Sequence, residues 1–194
     1  MIAVGRGFAE AERPVLAGFL WDAFEAKFRR VLRDREAAAA VLGSGLRPQG
    51  VLTARRDGVA VGVALLKDRT GLTPVRASLR SFVSAYGPVS GTLRAGLLGV
   101  LDEAIPPGVL AIDAVAVASA ARGNGVGTLL LALAEKVART RGHGTLMLEV
   151  VTDNTGARRL YERLGFSVVS TTRAGPVVRR AFGITGYHRM HKAV

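Results

Sequence analysis

The chain contains no cysteine. That excludes disulfides, thiolate metal sites and a cysteine nucleophile, and it suits a reducing, cytoplasmic setting. Lysine is scarce: of 27 basic residues only Lys27, Lys67, Lys136 and Lys192 are lysines, and the rest are arginines. Acidic residues are few as well, 15 in all, so the formal net charge is +12. No apolar run approaches the roughly 20 residues of a membrane span. The first residues, MIAVGRGFAEAER, show no charged leader followed by an apolar core. The expectation is a soluble, untargeted protein with no membrane partner. A surface of this sign attracts anions and repels polycations. Tight runs of like charge and basic patches interleaved with aromatics are both absent, which disfavours nucleic acid as a partner.

What is present suffices for one folded domain over residues 1–194, since 49% of the residues are hydrophobic and only 22% charged. There are no internal repeats and no linker. Ile2 to Phe8 reads as a short strand. Glu10 to Leu32 carries helical apolar spacing at Leu16, Leu20, Phe24 and Phe28. Arg33 to Leu42 continues as a second helical piece and stops at Gly43-Ser44-Gly45. Val51 to Arg55 and Val59 to Leu66 read as strands joined at Asp57-Gly58, a hairpin signal. The segment 70–108 is the least transparent. Leu79, Phe82, Val83 and Tyr86, then Leu93, Leu97, Leu98 and Leu101, predict two short helices split at Gly87-Pro88. Beyond it the pattern is clean: a strand over Val109 to Val117, a helix over Thr128 to Arg141, and a strand over Thr145 to Val151. A helix capped by Asn154 and closed by Gly165 follows, then strands over Phe166 to Thr172 and Tyr187 to Val194. A strand–helix–strand unit of this kind predicts a parallel pair.

Between the Val109 strand and its helix stands Arg122-Gly123-Asn124-Gly125-Val126-Gly127. Glycine-rich backbone opening a helix leaves outward N–H groups at the positive end of the helix dipole, a site for phosphate or pyrophosphate. No lysine follows the glycines, so this is not a P-loop. A G-x-G-x-x-G fingerprint fails too, because its third glycine would fall on Leu130 or Thr128. A second segment narrows the choice. Asp153-Asn154, Ala157, Leu160-Tyr161 and Gly165-Phe166 spell D-N-x-x-A-x-x-L-Y-x-x-x-G-F. With the preceding R-x-x-G-x-G, the chain resembles the GNAT superfamily of acyl-CoA-dependent N-acetyltransferases. The resemblance covers Val109 to Val194 well.

That resemblance implies an α/β fold (α+β by some schemes). Its mixed central sheet would have about six or seven strands flanked by helices, splayed between two parallel central strands, with a helical insert at 70–108. It implies acetyl-CoA as acyl-donor cosubstrate and a primary amine as acceptor, joined by direct attack in a ternary complex. Arg122, Gly123, Asn124, Gly125, Val126, Gly127 and Thr128 would hold the CoA pyrophosphate. Val115, Ala116 and Val117 would offer backbone to the pantetheine arm while their side chains pack. Asn154 would contact the cofactor, or serve only as a helix cap. Tyr161 would protonate the departing thiolate, or serve only as a core aromatic. Asp113 would take the proton from the amine, directly or through water, or would sit solvated in the cleft and orient the substrate. It shares strand parity with Val115 and Val117, and an apolar strand would raise its pKa. Glu149 is the second candidate base. Many relatives carry proline where this chain has Ser119, which alters a turn only. The insert is expected to line the acceptor site.

Other constellations are weaker. His188 and His191 are three apart in a predicted strand, so they point to opposite faces and make a poor metal pair. His143 sits at a helix-end turn and reads as solvated. No G-x-S-x-G elbow accompanies any serine. The acceptor reads as a small neutral or anionic amine, or a protein amine. The alternatives are a non-catalytic acyl-CoA-binding regulatory module, and a nucleic-acid- or ribosome-associated protein suggested by charge alone. A homodimer stays open.

Overall fold

The computed structural model describes residues 1–76, 78–99 and 104–194, with only the backbone of residues 26–28. Its strands are β1 (Ile2–Arg6), β2 (Val51–Arg56), β3 (Val59–Lys67), β4 (Val109–Val117), β5 (Thr145–Val151), β6 (Ser167–Arg173) and β7 (Gly186–Ala193). They form one sheet in the order β1-β2-β3-β4-β5-β7-β6. Every neighbouring pair is antiparallel except β4 and β5, the parallel pair that the sequence predicts. The helices are α1 (Arg13–Leu32), α2 (Arg35–Gly45), α3 (Leu79–Tyr86), α4 (Pro88–Gly99), α5 (Val126–Thr140), α6 (Thr155–Arg163) and α7 (Pro176–Phe182).

The alternation of side chains along each strand divides the core between two faces. Leu52, Ala54, Ala64, Leu66, Leu110 and Ile112 point one way, to α5 and α6. Helix α5 meets them with Val126, Leu130, Leu131, Ala134, Val137 and Ala138, all buried and spaced for one helical face. Full burial of a side chain such as Leu130 is worth about 2 kcal/mol. Val51, Val63, Leu65 and Ala116 point the other way, to Leu16 and Leu20 of α1.

Strand β4 breaks the alternation. Opposite β3, Leu66 faces Ile112 and the next residue, Leu65, faces Ala114. Asp113 is therefore one extra residue in β4, a β-bulge. Beyond it Val115 and Val117 pack on the α5 side with Leu110 and Ile112, while Ala114 and Ala116 turn to α1. The parallel register with β5 runs from Val109↔Thr145 to Ile112↔Leu148 and stops at the bulge. A bulge bends its strand and increases the local twist, which carries the end of β4 away from β5. The central strands are thus splayed, as the resemblance implies.

The segment 70–108 forms α3 and α4, divided at Gly87. None of their described residues joins the two cores on the sheet. Phe82, Ala85, Tyr86, Leu97 and Leu98 join Trp21, Val31 and Leu32 of α1, Val41 of α2 and Phe182 of α7 in a separate helical core. Leu101, assigned to the second helix from its spacing, lies outside the described residues, as does the side chain of Phe28. Helix α7 has no counterpart in the sequence reading, although Pro176 at its first turn and Gly183 at its end are the usual marks of a helix.

Candidate functional site

The glycine loop leaves β4 through a 3-10 turn over Ser119–Ala121 and enters α5 at Gly125. Gly123 and Gly125 have φ of +76° and +75°, a left-handed conformation that other residues adopt at a cost. A Cβ on Gly123, Gly125 or Gly127 would meet nothing within 4 Å, so the loop faces open space. The first intrahelical bond runs from Leu129 N to Gly125 O (3.0 Å). The amides of Val126, Gly127 and Thr128 come before it, and no side chain caps them. Orphan donors at a helix N-terminus, under an open surface, suit an anion. Two polar side chains of the loop bond locally. Arg122 Nε donates to Val117 O (3.2 Å), and Asn124 Nδ2 donates to Arg122 O (3.2 Å).

The loop is held down from below. Val126 is buried against Gly62 of β3, where a Cβ would lie 2.9 Å from Val126 Cγ1 and 3.2 Å from Ala116 O. Sequence reasoning missed Gly62. A glycine inside a strand is the signal that could have found it, since it marks a close approach.

The fork between β4 and β5 opens beside this loop. From Ala114 to Val117 the register is with β3. Val115 and Val117 are partly buried in the α5 core and Ala116 is buried under α1, so the side chains pack while the β5-facing backbone edge lies in the fork. Asp113 and Glu149 are the residues that directly follow the last β4–β5 pair, one on each strand, and both are accessible to solvent. Asp113 is exposed, as the alternative of an aspartate solvated in the cleft has it. Glu149 accepts hydrogen bonds from Arg189 of β7, from Nη2 at 2.9 Å and Nε at 3.1 Å. Arg189 is a fork residue that the sequence did not single out. Only the pairing of β5 with β7 reveals it.

Helix α6 follows β5 directly. Asn154 Oδ1 accepts from Ala157 N (3.1 Å), so this side chain is the helix N-cap. At the other end Phe166 N donates to Tyr161 O (3.0 Å) and Gly165 N to Glu162 O (3.1 Å), a Schellman closure. Tyr161 turns inward, with its ring edge-on to Phe166 at 6.0 Å between centroids. Burial raises its pKa and keeps the phenol protonated.

His188 and His191 do face opposite ways. His188 lies by Arg158 of α6 and hydrogen-bonds with Thr171 (2.8 Å), while burial lowers the pKa of His191, as does Arg189 to a smaller degree. Among the described residues no group of three His, Asp or Glu is arranged to hold a metal ion. His143 is not solvated. It is buried, and its Nε2 lies 3.1 Å from Asp68 Oδ2. Arg141 Nε donates to the same oxygen (2.9 Å), and the amides of Thr70 (2.8 Å) and Leu72 (3.0 Å) donate to Oδ1. Burial opposes the charge on Asp68, but the Leu72 amide, His143, Thr70 and Arg141 together outweigh it and hold the carboxyl well below its ordinary pKa. This cluster ties the end of β3 to the end of α5, away from the fork.

A splayed parallel pair, an open glycine loop starting a helix, and an inward tyrosine on the next helix are now together on one sheet. The pattern of the Acetyltransferase (GNAT) family matches residues 16–166. The chain belongs to the GNAT acetyltransferase family. Within the family it is similar to a mycothiol acetyltransferase of Mycobacterium leprae, 33% identical over 103 residues, which are 49% of this chain and 33% of the relative. It is also similar to a streptothricin acetyltransferase of Streptomyces lavendulae, 43% identical over 58 residues, 30% of this chain and 31% of the relative. The chain thus spans about a third of the length of these curated relatives. Among solved structures, a ribosomal-protein-alanine N-acetyltransferase from Brucella melitensis superposes with a TM-score of 0.63 at 25% identity, covering 100% of this chain and 99% of that one. The GNAT fold accounts for the sheet order and its gap. No described helix is long and apolar enough to cross a membrane.

Proposed function

We propose that the protein is a cytoplasmic N-acetyltransferase that moves an acetyl group from acetyl-CoA to a primary amine in one ternary complex. The observation that carries this reading is the fork: a β4 edge released from β5 by the Asp113 bulge, with uncapped helix amides at its mouth. Those amides, with Arg122, Gly123, Asn124 and Gly125, suit the diphosphate of CoA. The backbone of Val115, Ala116 and Val117 suits the amides of the pantetheine arm, which would take the place of a missing strand. Acetyl-CoA supplies an acyl carbon activated as a thioester. Asp113 and Glu149, at the fork and open to water, can take a proton from the incoming ammonium directly or through solvent. Arg189 orients Glu149. Tyr161 holds a proton for the leaving sulfur, and its buried phenol stays neutral at working pH. Asn154 has its side-chain oxygen committed to the helix, which favours a capping role.

The acceptor is a small neutral or anionic amine, or an amine on a protein; the net charge of +12 disfavours polycations. The packing of the 70–108 insert with α1, α2 and α7 supports a part for it in the wall above the acceptor.

Thermal unfolding with acetyl-CoA, and thiol release on adding candidate amines, test the reading. Acetyl-CoA at about 100 times Kd is expected to stabilise the fold by about 2.7 kcal/mol. Stabilisation by NADH and none by acetyl-CoA would overturn the assignment. Stabilisation without thiol release from any amine would favour a non-catalytic acyl-CoA-binding module.

A further inference from the structure

The positive charge of this chain is not evenly neutralised. Arg13, Arg35, Arg55, Arg139, Arg141, Arg158 and Arg189 each have a carboxylate partner. Arg29, Arg30, Arg33, Arg179 and Arg180 are exposed and form no ion pair among the described residues. The first three end α1 and the last two lie in the final turn of α7.

The fold brings these two helix ends together. Val31 and Leu32 of α1 share a core with Phe182 of α7. A Cβ on Gly183, which closes α7, would lie 2.8 Å from Arg30 Nη1, so that guanidinium rests against the end of α7. The nearby carboxylates Asp22 and Asp34 are engaged: Asp22 pairs with Arg35 (3.0 Å), and Asp34 caps α2 through Ala37 N (2.7 Å).

The two helices are tied to the strands of the fork. Helix α7 joins the end of β6 to the start of β7, where Tyr187 pairs with Val151, the last residue of β5. Helix α1 crosses β3 and β4 on the face opposite α5. The arginines therefore lie on helices packed on the α1 side of the sheet, opposite the face that α5 and the glycine loop cover. Complementing two helix dipoles explains basic residues at each end taken alone. It does not explain why two such ends converge where the described residues of α1 with its cap Arg33, and of α7, supply five arginines without an ion pair and, besides the engaged Asp22, a single carboxylate, Glu25. Nor does it explain Arg33, whose φ of 55° and ψ of −58° form a γ-turn closed by Asp34 N to Leu32 O (2.6 Å). That turn is strained for a residue with a side chain.

We propose that these five arginines bind an acidic polypeptide segment, and that the acceptor amine of this enzyme is carried on such a chain. This rests on the acetyltransferase reading above and names its substrate class. Spacing over two helix ends suits carboxylates strung along an extended chain, each held by a guanidinium fork. Phe182, two residues after Arg180, is buried and offers no face for a base to stack on, which favours a peptide over single-stranded nucleic acid.

Fluorescence anisotropy of a labelled oligo-glutamate peptide tests this. We expect saturable binding that weakens as salt rises. The double variant Arg30→Glu, Arg180→Glu is expected to weaken it at least about tenfold. The double variant Arg6→Glu, Arg47→Glu changes net charge equally but sits on β1 and the turn before β2, at the far edge of the sheet. It is expected to stay within about twofold of the wild type. Equal weakening by both pairs, no saturable binding, or tighter binding of a DNA duplex than of the peptide would each overturn the proposal. Thermal stabilisation by acetyl-CoA, read on the same samples, confirms folding and reports separately on the cofactor reading.

Discussion

At the residue scale, Tyr161 carries the sharpest expectation. Burial raises its pKa, so the proton it offers is present below the shifted value and lost only as pH rises through it. Removing the hydroxyl in Tyr161→Phe keeps the ring against Phe166. It is expected to lower kcat by about 100-fold with little change in acetyl-CoA affinity. Equal loss in both would assign the residue to packing. Asn154 separates in the same way. Asn154→Ala is expected to cost about 1 kcal/mol of stability and Asn154→Asp almost none, because aspartate caps equally well. Chemical denaturation reads both. A selective drop in acetyl-CoA binding for the aspartate variant would restore a cofactor contact. The residues that sequence reasoning placed best are those whose role is local: the glycines of the loop, the cap Asn154 and the closing Gly165. His143 was misread because its partner Asp68 is 75 residues away, and no local pattern reports such a contact.

At the element scale, β4 and β5 were legible to the residue, because an apolar run between turn signals, broken only by Asp113 in one and Glu149 in the other, is read from its own sequence. The bulge was not, because it exists only in the register between β3 and β4. The same is true of the seat of α5 on β3. Gly62→Ala places a methyl group 2.9 Å from Val126 Cγ1. Overpacking there is expected to cost about 1–3 kcal/mol and to shift the start of α5. Calorimetric titration with acetyl-CoA should then show weaker binding, although Gly62 lies beneath the loop rather than in it. Unchanged affinity with a lowered Tm would mean that the helix start tolerates the displacement.

At the scale of the whole molecule, the arginine excess leaves few carboxylates to hold the fold, and Asp68 is one that is fully buried. Its pKa is depressed in the folded state. The stability it contributes is therefore present above about pH 4, the unfolded value, and lost as pH falls toward the folded one. Asp68→Asn leaves the Arg141 guanidinium without its carboxylate partner and is expected to cost about 3 kcal/mol at neutral pH. Its stability should also fall less steeply than the wild type's in acid, and urea denaturation across pH measures both effects.

The gap beyond Ile112 and Leu148 has a mechanical meaning too. Among the described residues, four paired positions, Val109 to Ile112 with Thr145 to Leu148, form the ladder that joins the first four strands to the last three. The sheet is two leaves on a short spine, and whatever slides between them becomes part of the binding that keeps the book in shape.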